Sequence, residues 1–356
     1  MALSLMSLRD LPNLGFDTII DVRAPSEYAE DHVPGAINLP VLSDAERAHV
    51  GTIYKQQSPF LARKVGAALV ARNAAAHLEG PLCDKSGGWR PLVYCWRGGQ
   101  RSGSFASILT QVGWRVDLIA GGYKHYRHLV VRALYDDPVP SPVVVLDGNT
   151  GTAKTALLAA LSDRGVQVLD LEGLANHRGS LFGGRQGGQP SQKAFEGALA
   201  HVLAGLDPNR PVVVEAESSK VGNRNLPPRL WAAMCAAPRV VIRAPLAARA
   251  AYLAQAYQDI IADPLELDTI LAKLSPLHAA KVIAEWRVMA AEGAYVALAH
   301  DLMAHHYDPR YSCQRDRVGA HAPQIFETDS LSPDALNVLA DRLVPAVAAV
   351  AFAIPA

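Results

Sequence analysis

Short apolar runs alternate with longer stretches of helical spacing along this chain. "DTIIDV", "PLVYC" and "VDLIAGG" are β-rich runs that end in polar or glycine positions. Between and after them lie "PFLARKVGAALVARNAAAHL", Ser102–Val112 and Tyr123–Leu134, which carry helix-forming residues at helical spacing. Such alternation predicts a parallel sheet with helices on its faces. The pattern breaks at "YDDPVPSP", where three prolines in eight residues exclude a helix or a central strand. It then resumes. "SPVVVLDGNTGTAKTALLAAL" reads as strand, glycine-rich turn and helix; "VQVLDLEG", "PVVVEAESS" and "RVVIRAP" read as further strands; Leu246–Ile261 and Pro276–His300 read as helical. The expected fold class is therefore α/β twice over, with a first domain over 1–134, a linker over 135–142, and a second domain over 143–356 that ends in a helical part.

Composition agrees with two domains, because 356 residues are too many for one ordinary core. Charge is balanced, with 34 basic against 34 acidic residues, so any RNA partner must be held by a local basic patch. Cysteine is sparse (Cys83, Cys95, Cys235, Cys313) and forms no C-x-x-C pair. That excludes a zinc ribbon or a disulfide framework, predicts no bound metal from cysteine, and points to a reducing cytoplasmic setting. The start of the chain lacks the features of a signal peptide. The apolar tail from Leu343 is shorter than the roughly 18–20 residues that span a bilayer, so a packed final helix is expected and no membrane partner.

The chemistry concentrates in two loops. In "YCWRGGQRS", Cys95 leaves a buried strand at its carboxyl end, where functional loops of parallel sheets lie. Trp96, Arg97, Gly98, Gly99 and Arg101 complete a ring of backbone N–H groups and guanidiniums able to hold an anion and to stabilise a thiolate. Ser102 is expected to cap the following helix. The flanking "DVRAPSEYAEDHVPGAINLP" and "GWRVDLIAGGYKHY" resemble the rhodanese domain, which implies mainly architectural roles for Asp21, Arg23, Glu27 and His32. The common rhodanese loop reaches its arginine one position sooner. The C-x5-R count here resembles the phosphatase relatives of that family, although no carboxylate precedes Cys95 as a general acid. The loop alone leaves sulfur carrier and phosphatase open.

The second loop, "GNTGTAKT", has the strand-loop-helix context of a P-loop. Gly148, Asn149, Thr150, Gly151 and Thr152 would cradle a diphosphate, Lys154 would reach its outer oxygens, and Thr155 could hold Mg²⁺. Ala153 replaces the usual glycine, a change tolerated if its φ is negative. Glu215 and Glu217 end a later strand, where a metal-side or substrate-side carboxylate would stand. His177, Arg178 and Arg185 lie in a glycine-rich stretch (176–196) that suits a lid or a tRNA contact. Arg243 and Arg249 are weaker lid candidates. "AHDLMAHHYDPRY" (His300, His305, His306, Asp308) is expected to be a structured loop in which Tyr307, Arg310 and Tyr311 could meet RNA.

With "CWRGGQRS", "NHRGSLFG", "EAESSKVGN" and "HHYDPRY" in this order, the chain resembles the tRNA 2-selenouridine synthase family over nearly its whole length. The resemblance implies a transferase that converts wobble 2-thiouridine of tRNA to 2-selenouridine through an S-geranyl intermediate. Geranyl diphosphate and selenophosphate would be its substrates, with no tightly bound cofactor. The alternative is a rhodanese-family phosphatase or sulfurtransferase fused to a small-molecule kinase-like domain.

Overall fold

The computed structural model describes residues 2–310 and 322–351. The chain divides into two compact units, Met1–Pro138 with Pro190–Gly205, and Val139–Gln189 with Leu206–Ala356. The division falls inside the proline-rich stretch. It differs from the sequence expectation in one segment: Gln192–Gly205, expected in the second domain, is a helix of the first unit. The reason is its buried face. Phe195, Leu199 and Leu203 are buried, and Glu196 pairs with Arg127 and accepts the Tyr135 hydroxyl at 2.8 Å.

The first unit is built on β1 (Ala2–Leu3), β2 (Thr18–Asp21), β3 (Ala36–Asn38), β4 (Pro91–Tyr94) and β5 (Asp117–Ile119). Their order is β1-β5-β4-β2-β3, and every pairing is parallel. Strand β4 is buried along its whole length, which explains its unbroken apolar run. Ile20, Val22, Val93, Phe105, Leu109 and Trp114 form the core beside it. Helix Pro59–Glu79 starts where Ser58 accepts from the Phe60 and Leu61 N–H groups. Ahead of it stands a helix that the apolar pattern did not reveal, Asp44–Gln56, closed at its start by a Ser43/Glu46 capping box.

The second unit holds β6 (Val143–Gly148), β7 (Gln167–Leu169), β8 (Val212–Glu215), β9 (Lys220–Val221), β10 (Arg224–Asn225), β11 (Arg239–Arg243) and β12 (Gln324–Glu327). Its main sheet runs β12-β11-β6-β8-β7, again wholly parallel, while β9 and β10 form a small antiparallel ribbon. Helices Lys154–Asp163 and Pro333–Ala351 share one core with this sheet, through Leu157, Leu161, Ile242, Leu339 and Leu343. The tail is therefore helical as far as Ala351 and packs into this core through Val347. A further core around Trp286 gathers helices Pro264–Ala272, Ala280–Ala291 and Tyr295–Leu302. Here the helical runs are shorter than the sequence pattern suggested. Leu246–Ile261 divides at Tyr257, and Pro276–His300 is interrupted at Gly293, whose φ is +72°. No described helix is long and apolar enough to cross a membrane.

Candidate functional site

In the first unit, Cys95 follows β4 directly and is buried. Helix Gln100–Val112 begins just beyond the loop, and its cap position is Gly99. Ser102 does not cap it, contrary to expectation. Its hydroxyl lies within the first turn of the helix and donates to the Cys95 Sγ at 3.2 Å. Burial alone would push the Cys95 thiol up, but the Ser102 hydroxyl, the Ser102 and Arg97 N–H groups and the Arg101 charge together bring it below the ordinary thiol range.

The ring is closed from behind. The N–H groups of Tyr123 and Lys124 donate to the carbonyls of Cys95 and Trp96, each at 2.9 Å. This approach requires glycine at 122, because a Cβ there would stand 2.2 Å from the Cys95 carbonyl oxygen and 2.6 Å from the Gly98 nitrogen. Gly98 itself has φ +67°. Arg101 is anchored: its Nη1 donates to Glu27 Oε2 at 2.8 Å, and Arg47 holds the same carboxylate at 2.9 Å. Burial raises Glu27, yet Arg101 and the Ala24 N–H hold it below the usual range. Glu27 thus aims an anion-loop arginine. Asp21 and Arg23 are a fully buried pair, and His32 stacks on Tyr28, so these three do have the architectural surroundings expected of them. Trp96 is partly exposed beside Tyr123.

In the second unit, the loop after β6 opens on a cavity of about 450 Å³. Thr150, Gly151, Thr152, Lys154 and Thr155 line it, together with Arg178, Arg185 and Glu217. The tertiary structure therefore gathers one phosphate loop, two basic side chains from the glycine-rich stretch and one of the two expected glutamates. Gly148 ends β6, and Asn149 leads from it into the loop. The Lys154 ammonium folds back to donate to the Gly148 carbonyl at 2.9 Å. Ala153 has φ +59° and ψ 32°, a left-handed conformation, so the condition that made alanine easy to accept there is not met.

Several residues differ from expectation. Glu215 is buried below the cavity, where it accepts the Glu172 N–H at 2.7 Å; burial pushes its carboxyl well above the usual range. His177 turns into its own loop and accepts the Gly179 N–H at 3.1 Å. Arg178 pairs with Asp259 at 2.8 Å and lies over the Tyr257 ring. Arg249 is not a lid residue: it is buried, donates to the Thr150 carbonyl at 3.1 Å and pairs with Asp308 at 2.7 Å, which props the phosphate loop from below. Arg243 is exposed beside Glu327. The histidine stretch is helical rather than a loop, with a wide turn over Met303–Tyr307. His306 is buried against His278 at 2.9 Å and Arg310 at 2.6 Å, and burial with these neighbours lowers it to about 4. Tyr311 and Cys313 lie outside the described residues.

The residue that sequence reading missed is Glu172, which lines the cavity and accepts the Thr155 hydroxyl at 2.9 Å. Its signal was its place in "LDLEG", just past the carboxyl end of β7, where parallel sheets keep their ligand groups. Glu217 is hydrogen-bonded to Glu172. Burial and that neighbouring carboxylate raise it to about 8, against the pull of Lys154. Two hydrogen-bonded carboxylates beside a threonine hydroxyl are a hard oxygen donor set that suits a Mg²⁺ ion. Thr155, Glu172 and Glu217 are the residues that fit it. Among the described residues no cluster of three His, Cys, Asp or Glu side chains forms a self-sufficient metal cage. Such an ion would take its remaining ligands from phosphate and water.

A cysteine anion loop on one α/β unit and a phosphate loop on a second define a rhodanese-like and P-loop fusion protein. Two family descriptions match these units: Rhodanese-like domain over residues 4–129, and tRNA 2-selenouridine synthase AAA domain over 141–268. The chain is 36% identical over 250 residues to tRNA 2-selenouridine synthase of Psychromonas ingrahamii, covering 70% of this chain and 67% of the relative. It is 38% identical to that of Nitrosomonas europaea (67% and 65% covered) and 39% identical to that of Aeromonas salmonicida (70% and 67%). The chain belongs to the tRNA 2-selenouridine synthase family, an enzyme family, and the matched stretch spans about two thirds of these relatives' length.

Proposed function

We propose that this protein replaces the sulfur of a wobble 2-thiouridine in tRNA with selenium, in two steps that use its two anion loops separately. In the first, the thiocarbonyl sulfur attacks carbon 1 of geranyl diphosphate. The carbon–oxygen bond breaks, diphosphate leaves with the electron pair, and the base loses its N3 proton. Lys154 and the N–H groups of the 148–155 loop offset the charge on the departing diphosphate. A Mg²⁺ ion held by Thr155, Glu172 and Glu217 would supply further charge neutralisation to that leaving group. In the second step, selenium of selenophosphate attacks carbon 2, geranylthiol leaves after taking a proton, and water releases phosphate. Alkylation makes this displacement feasible because a neutral thiol leaves more readily than a thiocarbonyl sulfur. The Cys95 ring, with Arg97 and Arg101, suits the tetrahedral selenophosphate anion.

The observation that carries this reading is the pairing of two separate anion cradles, each with its own chemistry, in a chain of this family. The test is mass analysis of nucleosides after incubation with 2-thiouridine tRNA, geranyl diphosphate and selenophosphate. Cys95→Ala should stop selenation and still yield S-geranylated tRNA. Lys154→Ala should lower geranylation at least about tenfold, since a charge-assisted phosphate contact contributes about 1.5–3 kcal/mol. Selenation of pre-geranylated tRNA should be unchanged in that variant. Unmodified nucleosides together with release of phosphate from an aryl phosphate would instead support the phosphatase reading.

A further inference from the structure

Beside the phosphate cavity lies a second, narrower pocket of about 80 Å³. The two share Thr150, Ser180, Leu253 and Tyr257, so the mouth of the narrow pocket is a wall of the phosphate cavity. Its remaining lining is almost wholly apolar, and includes Phe182, Ile260, Leu267, Leu298 and Leu302. These five belong to the buried core around Trp286, and none of them lines the phosphate cavity. A polar phosphate cradle that continues into an apolar slot matches one kind of ligand, a diphosphate head with a hydrocarbon tail. A nucleotide does not match it, because a ribose and a base would bring hydrogen-bonding groups into a wall that offers them almost no partners.

We propose that this slot holds the hydrocarbon tail of the diphosphate substrate, and that the packed core side chains of its lining, Leu267 and Leu298 among them, set the longest tail accepted. The inference rests on the reading above that the 148–155 loop binds a prenyl diphosphate. It adds the place of the tail and a means of choosing its length. The phosphate loop fixes the head, so tail length is measured from Lys154 toward the Trp286 core. A tail that outruns the slot must either displace packed core side chains or leave apolar carbons in water.

Equilibrium binding of inorganic diphosphate, geranyl diphosphate and farnesyl diphosphate to the full chain tests this. Geranyl diphosphate should bind at least tenfold more tightly than inorganic diphosphate, a difference of about 1.4 kcal/mol. Farnesyl diphosphate, with a longer tail, should bind at least about tenfold more weakly than geranyl diphosphate. Ala299→Phe adds bulk to the slot lining. It should bring geranyl diphosphate down to the affinity of inorganic diphosphate and leave the latter unchanged. Leu267→Ala should restore farnesyl diphosphate toward the geranyl value. Equal binding of geranyl and inorganic diphosphate by the unaltered chain would overturn the slot while leaving the phosphate-loop reading in place. Equal binding of geranyl and farnesyl diphosphate would overturn the length limit. A chain that bound neither inorganic nor geranyl diphosphate would overturn the phosphate-loop reading itself. The comparison among ligands on the unaltered chain decides these points even if a variant fails to fold.

Discussion

Cys95 illustrates how one side chain acquires its chemistry from others placed around it. Burial by itself would make this thiol harder to ionise, and the lowered value rests on Ser102, on the Arg97 and Ser102 N–H groups and on Arg101. Removing the hydroxyl in Ser102→Ala should raise the Cys95 pKa by about 1–2 units, the equivalent of one hydrogen bond to a charged acceptor. The thiolate ultraviolet absorbance of the variant, corrected with Cys95→Ala, checks this; an unchanged midpoint would remove Ser102 from the account. Glu217 shows the opposite effect. Its folded value of about 8 stands above the ordinary carboxyl value near 4.3 in the unfolded chain. The folded state therefore retains a proton that the unfolded state has lost, and stability must decline as pH rises between these two values. Glu217→Gln should flatten that decline and make the protein more stable at about pH 8 and above, by on the order of a few kcal/mol. Urea unfolding across this range measures the slope.

At the scale of elements, both sites are loops that join the carboxyl end of a parallel strand to the start of a helix, and both depend on unusual backbone at the junction. In the first unit glycine meets the demand, through Gly98 and Gly122. In the second unit Ala153 occupies a left-handed position at the cap of helix Lys154–Asp163. Such a conformation costs an L-residue about 1–2 kcal/mol, against about 0.4–1 kcal/mol of extra chain entropy for glycine in the unfolded state. Ala153→Gly should therefore stabilise the protein by roughly 0.5–1 kcal/mol, read as a small rise in the thermal midpoint. A fall would mean that the methyl group, which is buried in the core of this unit, contributes more packing than its backbone strain removes.

For the whole molecule, the division of the chain does not follow its order. Helix Gln192–Gly205 returns from a point after the phosphate loop to complete the first unit. A fragment that ends at Pro138 would lack Phe195, Leu199 and the Glu196 partner of Arg127 and Tyr135. It should unfold at lower temperature than the same unit in the full chain and bind a hydrophobic dye. Equal stability of the fragment would show that the helix adds nothing to that unit.

The sequence by itself determined the α/β class, the break near the prolines, and the two loops with their strand-loop-helix context. These are legible because hydrophobic periodicity and glycine-rich turns are local properties of a few consecutive residues. It also placed Cys95, Lys154, Arg178, Arg185 and Glu217 among the candidates by residue type and position. The tertiary structure alone decided which candidates meet. It brought Glu172 to Thr155, buried Glu215 and Arg249 beneath the phosphate loop, turned His177 away, and folded the histidine stretch into a helix. It also joined the phosphate cavity to an apolar slot drawn from residues between Thr150 and Tyr307. Such contacts link positions far apart in the chain, and no local pattern encodes them. They follow from which apolar faces pack together, and that packing sets burial, partners and hence the charge state of each group.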